Sequence, residues 1–348
     1  MVLLAGVAAL TVALAASQIV KDQRLAALTA AALALGIPLL TAGNQIYPDL
    51  PSGTIVLAVF VAVMCFPNRS RITDGLLVAG IALLPWLHVK LLPVAALCAL
   101  VLARQLKLDR RLVRAAAAAC TVAASVAGVA MYNLVFSGTL LGPINESSSA
   151  VSGTAAMVLL GLHVDRAQGM LVLSPLLAIG AIEAVARLVG RRPWSLLFAL
   201  TYAALVVPNA LHPNWYGGAS FAGRFGWAAA LLLVLPTLLG LQALAERSLV
   251  AAAATTGAAL AVQATFAAQY AGGWFPMLNK RAGTPLEEYP SLWGPLRPVL
   301  PALYDRDWAA QFFPNWVGLS VVLVLGAVGV AVGIHRKRDG GVTELAYR

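Results

Sequence analysis

Of the 348 residues, 60% are hydrophobic and only 11% are charged, and the mean hydropathy is +0.84. A soluble domain carries about 45–50% apolar and about 25% charged residues, so neither a soluble globular fold nor a disordered chain fits. The net charge of +10 would suggest nucleic acid on a soluble protein, but here the basic residues sit in short connectors between apolar runs. Their distribution has a topological cause, and no nucleic-acid partner is expected. Cys65, Cys98 and Cys120 lie in apolar runs without CxxC spacing, which argues against a disulfide framework or a zinc site.

A membrane helix needs about 20 mostly apolar residues. By that measure spans fall near 1–20, 25–42, 51–66, 75–87, 91–103, 113–136, 169–187, 194–210, 226–245, 248–270 and 317–334. The runs 51–66, 75–87 and 91–103 are short. No stretch alternates like a membrane strand, and backbone groups cannot be left unpaired in lipid. The expected fold is therefore all-α: a polytopic integral membrane protein of about 11 transmembrane or half-spanning helices. Residues 1–335 form a single helical membrane domain, with 271–316 as an extracytoplasmic loop or cap and 336–348 as a short basic cytoplasmic tail.

The connectors alternate in charge. One set, from Lys21 and Arg24 through Arg69, Arg71, Arg104–Arg114, Arg187–Arg192 and Arg247 to the tail, holds 17 of the 24 basic residues and carries +10. The other set carries −1, and Lys90 belongs to neither. The positive-inside rule makes the first set cytoplasmic, so the C-terminus is expected inside and, through eleven spans, Met1 outside. An apolar run starting at Met1 lacks the basic n-region of a signal peptide. The long connectors 137–168, 211–225 and 271–316 all fall on the outer side, which is where a site is expected.

Candidate site residues follow in chain order. Asp49, in Tyr47-Pro48-Asp49-Leu50-Pro51, reads either as a helix N-terminus or as a surface carboxylate available to a metal or a substrate hydroxyl. His88 and Lys90 lie between two short apolar runs that read as a broken pair. A charge at membrane depth suggests function, unless Lys90 snorkels to a headgroup. Apart from Lys90, no charge is expected to be buried. Asp165 and Arg166, just before a span containing Pro175, read as a local ion pair or as site groups. In the segment from His212 to Phe225, Trp215 and its aromatic neighbours suit the interface, while glycines allow close approach of backbone. Arg224 lies at the mouth of a helix, where its fork can hold a phosphate. No residue set defines a cofactor. Should a divalent metal take part, Asp49 is the single candidate ligand.

Taken together, these segments resemble the GT-C superfamily of membrane glycosyltransferases, which use polyprenyl-phosphate sugars. Tyr47-Pro48-Asp49-Leu50-Pro51 resembles the acidic motif that opens a helix in these enzymes. The pair around His88 and Lys90 resembles the short helices that follow it. Val164-Asp165-Arg166, Gln168-Gly169-Met170 and Ser174-Pro175 resemble a segment of bacterial members, as does Trp215-Gly217-Gly218-Ser220 followed by Arg224. The likeness covers about residues 1–250. It implies sugar transfer from a lipid-phosphate donor to a hydroxyl at the extracytoplasmic face of the plasma membrane. Lys90, Arg224, His88, Arg166, His212 and Trp215 would contact donor or lipid phosphate, and Asp49 and Asp165 would be the catalytic carboxylates. The family's first helix and first outer loop, with its general base, have no counterpart here, so an inactive or truncated enzyme is one expectation. The alternative is a non-enzymatic membrane protein, either a lipid-binding subunit or a transporter. No internal repeat supports a transporter.

The charge asymmetry makes one direct prediction. An impermeant thiol reagent applied to intact cells should label Ser148→Cys and Ser291→Cys but spare Arg110→Cys. Labelling of the last would reverse the orientation.

Overall fold

The computed structural model describes residues 1–36, 39–42, 46–142, 155–166, 168–211, 223–272 and 316–338. Helix makes up 84% of these residues and no strand occurs among them. In chain order the helices are α1 (Val2–Ile19), α2 (Gln23–Ala34), α3 (Leu39–Ala42), α4 (Asp49–Cys65), α5 (Arg71–Leu87), α6 (Leu92–Leu108) and α7 (Leu112–Ser137). They continue as α8 (Ala155–Val164), α9 (Met170–Leu173), α10 (Leu177–Val189), α11 (Ser195–Ala210), α12 (Trp227–Ala245), α13 (Leu249–Ala271) and α14 (Trp316–Arg338).

Among the described residues, six segments are long and apolar enough to cross a membrane: Val2–Ile19, Val89–Leu108, Leu112–Ser137, Arg224–Ala245, Leu249–Ala268 and Leu319–Arg336. Asp49–Cys65 and Ser195–Ala210 are shorter apolar helices. The expected count of about 11 does not follow from the structure, for physical reasons visible in two runs. The run 25–42 splits into α2 and α3, and 169–187 splits at Ser174-Pro175 into α9 and α10. Proline removes a backbone donor and disfavours helix in the residue before it.

Elsewhere the helices exceed their apolar runs. The short pair expected at 75–87 and 91–103 is in fact two helices of 17 residues each, α5 and α6. Each is about 25 Å long at 1.5 Å per residue. Hydropathy loses their far ends because those carry Arg71, Asp74, Arg104 and Lys107. Helix α8 lies inside the stretch 137–168 read as a connector, being only 10 residues long. Helix α14 runs past the expected boundary at 335 and ends at Arg338.

Local chemistry sets several ends. Asp22 caps α2 by accepting from the Leu25 N–H at 2.8 Å, and Ser70 caps α5 by accepting from the Thr73 N–H at 3.1 Å. Gly138, at φ +71°, closes α7 in the left-handed conformation.

Helix α12 is the axis of the bundle. It is apolar all round, and 83% of its apolar window is buried, against 17% for α7 and 11% for α14. Its neighbours approach through missing side chains. A Cβ on Gly53 of α4 would lie 2.8 Å from the Ala228 Cα, and one on Gly180 of α10 would run into the Thr237 hydroxyl oxygen. On α12 itself, a Cβ at Gly240 would meet Ile179 at 2.6 Å. Helix α14 docks on α10 by the same means: Gly329 and Gly333 face Val185 and Val189.

Charges are buried well beyond Lys90, contrary to expectation. Asp49, Asp74, Asp165, Glu183 and Arg69 are all at most 7% exposed. Asp74 accepts from Arg69 Nε at 2.6 Å and Arg114 Nη1 at 3.0 Å, and Arg111 lies at 4.0 Å. Glu183 accepts from Arg187 Nε and Arg336 Nη1, both at 2.8 Å. At the end of α12, Lys21 bonds Glu246 at 2.8 Å. That bond, with a second from Gln242, holds the Glu246 carboxyl below its ordinary range.

Close packing at Gly180 gives a stability test. Gly180→Ala should destabilise the protein by about 1–3 kcal/mol, the usual cost of overpacking. Gly257→Ala in α13, where a Cβ meets nothing within 4 Å, should not destabilise it. Thermal unfolding of both variants in detergent would show the contrast.

Candidate functional site

Three helix N-termini meet at one carboxylate. Asp49 is the first residue of α4. Lys90 lies in the 3-10 turn Val89–Leu91 that leads into α6. Arg224 opens the 3-10 turn Arg224–Gly226 that leads into α12. Lys90 Nζ is 3.5 Å from Asp49 Oδ1, and Arg224 Nε is 3.4 Å from Asp49 Oδ2. The Asp49 side chain is 4% exposed, while those of Lys90 and Arg224 are 19% and 16% exposed.

The two cations are further oriented by aromatic rings and an amide. The Arg224 guanidinium lies 3.8 Å from the Tyr47 ring centroid and 5.0 Å from that of Phe225. Lys90 Nζ lies 5.1 Å from the Phe225 centroid. Cations are drawn to aromatic faces within about 6 Å. Lys90 also donates to Asn209 Oδ1 at 2.9 Å. The same Asn209 donates through Nδ2 to the Phe225 carbonyl at 2.8 Å. Asn209 is 4% exposed and joins α11 to both cation-bearing turns. Sequence reasoning missed it because it is a single amide at the end of an apolar helix. Its one signal was a polar residue directly after Pro208.

His88 immediately precedes the turn that carries Lys90. Its backbone is extended, at φ −170° and ψ 138°, and its Nδ1 accepts from the Lys90 N–H at 3.2 Å. It caps the turn that presents Lys90. Asp165 is buried in the turn after α8, where its Oδ1 accepts from the Gln168 N–H at 2.9 Å. Arg166 is half-buried in the same turn. Gln168 in turn accepts, through Oε1, from the Gly223 N–H at 2.6 Å, beside Arg224. His212 and Trp215 lie outside the described residues. Of the expected site residues, the structure thus gathers Asp49, Lys90 and Arg224 directly. His88 joins them through the Lys90 turn and Asp165 through Gln168.

The electrostatics favour an anion. A helix N-terminus carries about +0.5 of a charge, and three converge here. Acidic side chains usually occupy such positions, yet two of the three here are cations. One carboxylate leaves the cluster at net +1 in side chains alone. The contacts are also loose. Charge-assisted N–H···O bonds run about 2.7–2.9 Å, whereas these ion pairs are 3.4 and 3.5 Å. Arg224 Nε and Asp49 Oδ2 make no hydrogen bond in this arrangement.

The same donors do not fit a divalent metal at Asp49. Both carboxylate oxygens face cations, which would repel an ion placed there. Among the described residues no group of three His, Cys, Asp or Glu side chains is placed to hold one. A cavity of about 490 Å3 lies at the other end of α4, bordered by Cys65, Asn68, Arg69 and Thr73, away from this cluster.

Comparison with family models, with curated proteins and with solved structures finds no match to this chain. Any reading of function therefore rests on the chemistry of the site.

Asn209 holds the cluster together, and its loss is measurable. Asn209→Leu keeps the number of side-chain heavy atoms but strips Lys90 of its amide acceptor and removes the amide donor to the Phe225 carbonyl. Destabilisation by about 1–3 kcal/mol is expected, read as a lower melting temperature of the purified protein.

Proposed function

We propose that this chain is an integral membrane protein of the GT-C glycosyltransferase type, and that Lys90 and Arg224 hold the phosphate of a polyprenyl-phosphate-linked sugar at the extracytoplasmic face. The observation that carries this reading is the meeting of three helix N-termini and two cations at one buried carboxylate. Such a cluster suits a phosphate, which brings more negative charge and more acceptor oxygens than the Asp49 carboxylate. The lipid tail would lie along the apolar helices. Support for membrane insertion comes from surfaces that water would not tolerate: Val113, Val135, Phe136, Leu323 and Val324 are each at least 60% exposed. The charge asymmetry of the connectors supports the orientation.

In the transfer reaction, an acceptor hydroxyl attacks the anomeric carbon as the bond from that carbon to the phosphate oxygen breaks. The leaving phosphate gains negative charge, and Lys90 and Arg224 stabilise it. The hydroxyl proton goes to a base. Asp49 is poorly suited to that role, since both of its carboxylate oxygens already face cations. Asp165 serves as a turn acceptor. Both carboxylates near the cluster are engaged, which favours, for the chain taken alone, a second reading of lipid-phosphate binding without transfer.

The purified 348-residue chain should bind a polyprenyl phosphate in nanodiscs and transfer no labelled sugar at a measurable rate. Arg224→Ala should weaken binding by about 1.5–3 kcal/mol, the range of a hydrogen bond to a charged group. Lys90→Ala should act in the same direction. Failure of the wild type to bind would refute the phosphate reading. Robust transfer would show that a base is present among these residues.

A further inference from the structure

We infer that Gln168 is a positioning residue for Arg224, reading the backbone of the Gly223–Gly226 turn so that the guanidinium meets Asp49 and Tyr47. The inference deepens the phosphate-site reading and rests on it. Gln168 is 2% exposed, and its amide oxygen accepts from the Gly223 N–H at 2.6 Å. Gly223 is left-handed, at φ +72°, so the direction in which Arg224 leaves it depends on a conformation that other residues resist. There is also no room for a side chain: a Cβ on Gly223 would lie 2.9 Å from Leu173 Cδ1 and 3.1 Å from the Gln168 carbonyl oxygen.

Gln168 is itself held from behind. Its N–H donates to Asp165 Oδ1 at 2.9 Å, and the Gly169 N–H donates to the Asp165 carbonyl at 2.7 Å. A Cβ on Gly169 would come within 2.5 Å of the Asp165 backbone, so the turn closes only with glycine there. One residue on, Met170 packs against Gly226, where a Cβ would lie 3.1 Å from the Met170 Cε. Gln263 of α13 then anchors α9 by donating to the Leu173 carbonyl at 2.7 Å. Gln168 and Met170 thus hold the Arg224 turn at its two ends, Gly223 and Gly226. This gives the Asp165 and Gln168-Gly169-Met170 segment a role: it sets where the cation stands.

The test uses the full chain, labelled with 15N-arginine, in nanodiscs. The Arg224 Nε–H resonance, assigned by its loss in Arg224→Lys, should be displaced in the wild type by the Tyr47 and Phe225 rings, 3.8 and 5.0 Å away. In Gln168→Ala it should move towards the value of a free arginine. An unchanged resonance overturns the inference. Gly223→Ala disturbs the same turn from its other side and should give a like displacement, which covers the case of a poorly folded Gln168→Ala. Affinity for undecaprenyl phosphate supplies a second readout. Gln168→Ala should weaken binding roughly 3- to 10-fold, as for one lost hydrogen bond, and should weaken Arg224→Ala no further. Equal weakening in both backgrounds would mark a general structural effect and also overturn the inference. Absence of binding by the wild type would refute the phosphate reading, and the Arg224 resonance would still decide the positioning claim.

Discussion

Along Trp227–Gln242 nearly every side chain of α12 is buried, and its neighbours reach it because Gly53, Gly180 and Gly240 carry no side chains. In lipid there is little hydrophobic drive between helices, so close backbone approach and dispersion do more of the work. Helix α12 begins at the turn that bears Arg224, α4 begins at Asp49, and the two pack along their length through Gly53. A wider separation at Gly53 would pull apart the ion pair between their N-termini. The glycine contact that builds the bundle therefore also sets the site.

A single rule covers the buried acids that hold helices together: each faces more than one cation. Asp49 faces Lys90 and Arg224; Asp74 faces Arg69, Arg111 and Arg114; Glu183 faces Arg187 and Arg336. Removing a charge from water is costly, and a partner with good hydrogen bonds offsets that cost. The clusters differ in how tightly they close. Asp74 and Glu183 accept at 2.6–3.0 Å, while the contacts to Asp49 are 3.4 and 3.5 Å. The first two are structural clamps. The third leaves Asp49 Oδ2 and Arg224 Nε without hydrogen bonds and its two cations partly exposed.

Around that looser cluster the polar contacts are local and firm. His88 caps the Lys90 turn, Asn209 ties Lys90 to the Phe225 backbone, and Gln168 grips Gly223. Each of the two cations thus stands on a fixed backbone while its contact with Asp49 stays loose. Preorganisation of this kind lowers the cost of ordering the side chains when a ligand arrives.

The sequence by itself determined the all-helical class, because long apolar runs without alternation leave no other way to pair the backbone in lipid. It also singled out Asp49, Lys90 and Arg224, since charges are rare in such a chain and each stood beside an apolar run. It did not yield the helix count. Proline breaks and charged helix ends do not show in hydropathy, which shortens α5 and α6, takes α8 into a connector and joins α10 to α9. Nor did it reveal Asn209, because a lone amide at the end of an apolar helix stands out only once its partners are known. Only the tertiary structure decided that residues 49, 90, 209 and 224 share one point, since that depends on how closely α4, α6, α11 and α12 approach one another. That approach is governed by individual glycines, and no periodicity in the sequence encodes which helix each of them will face.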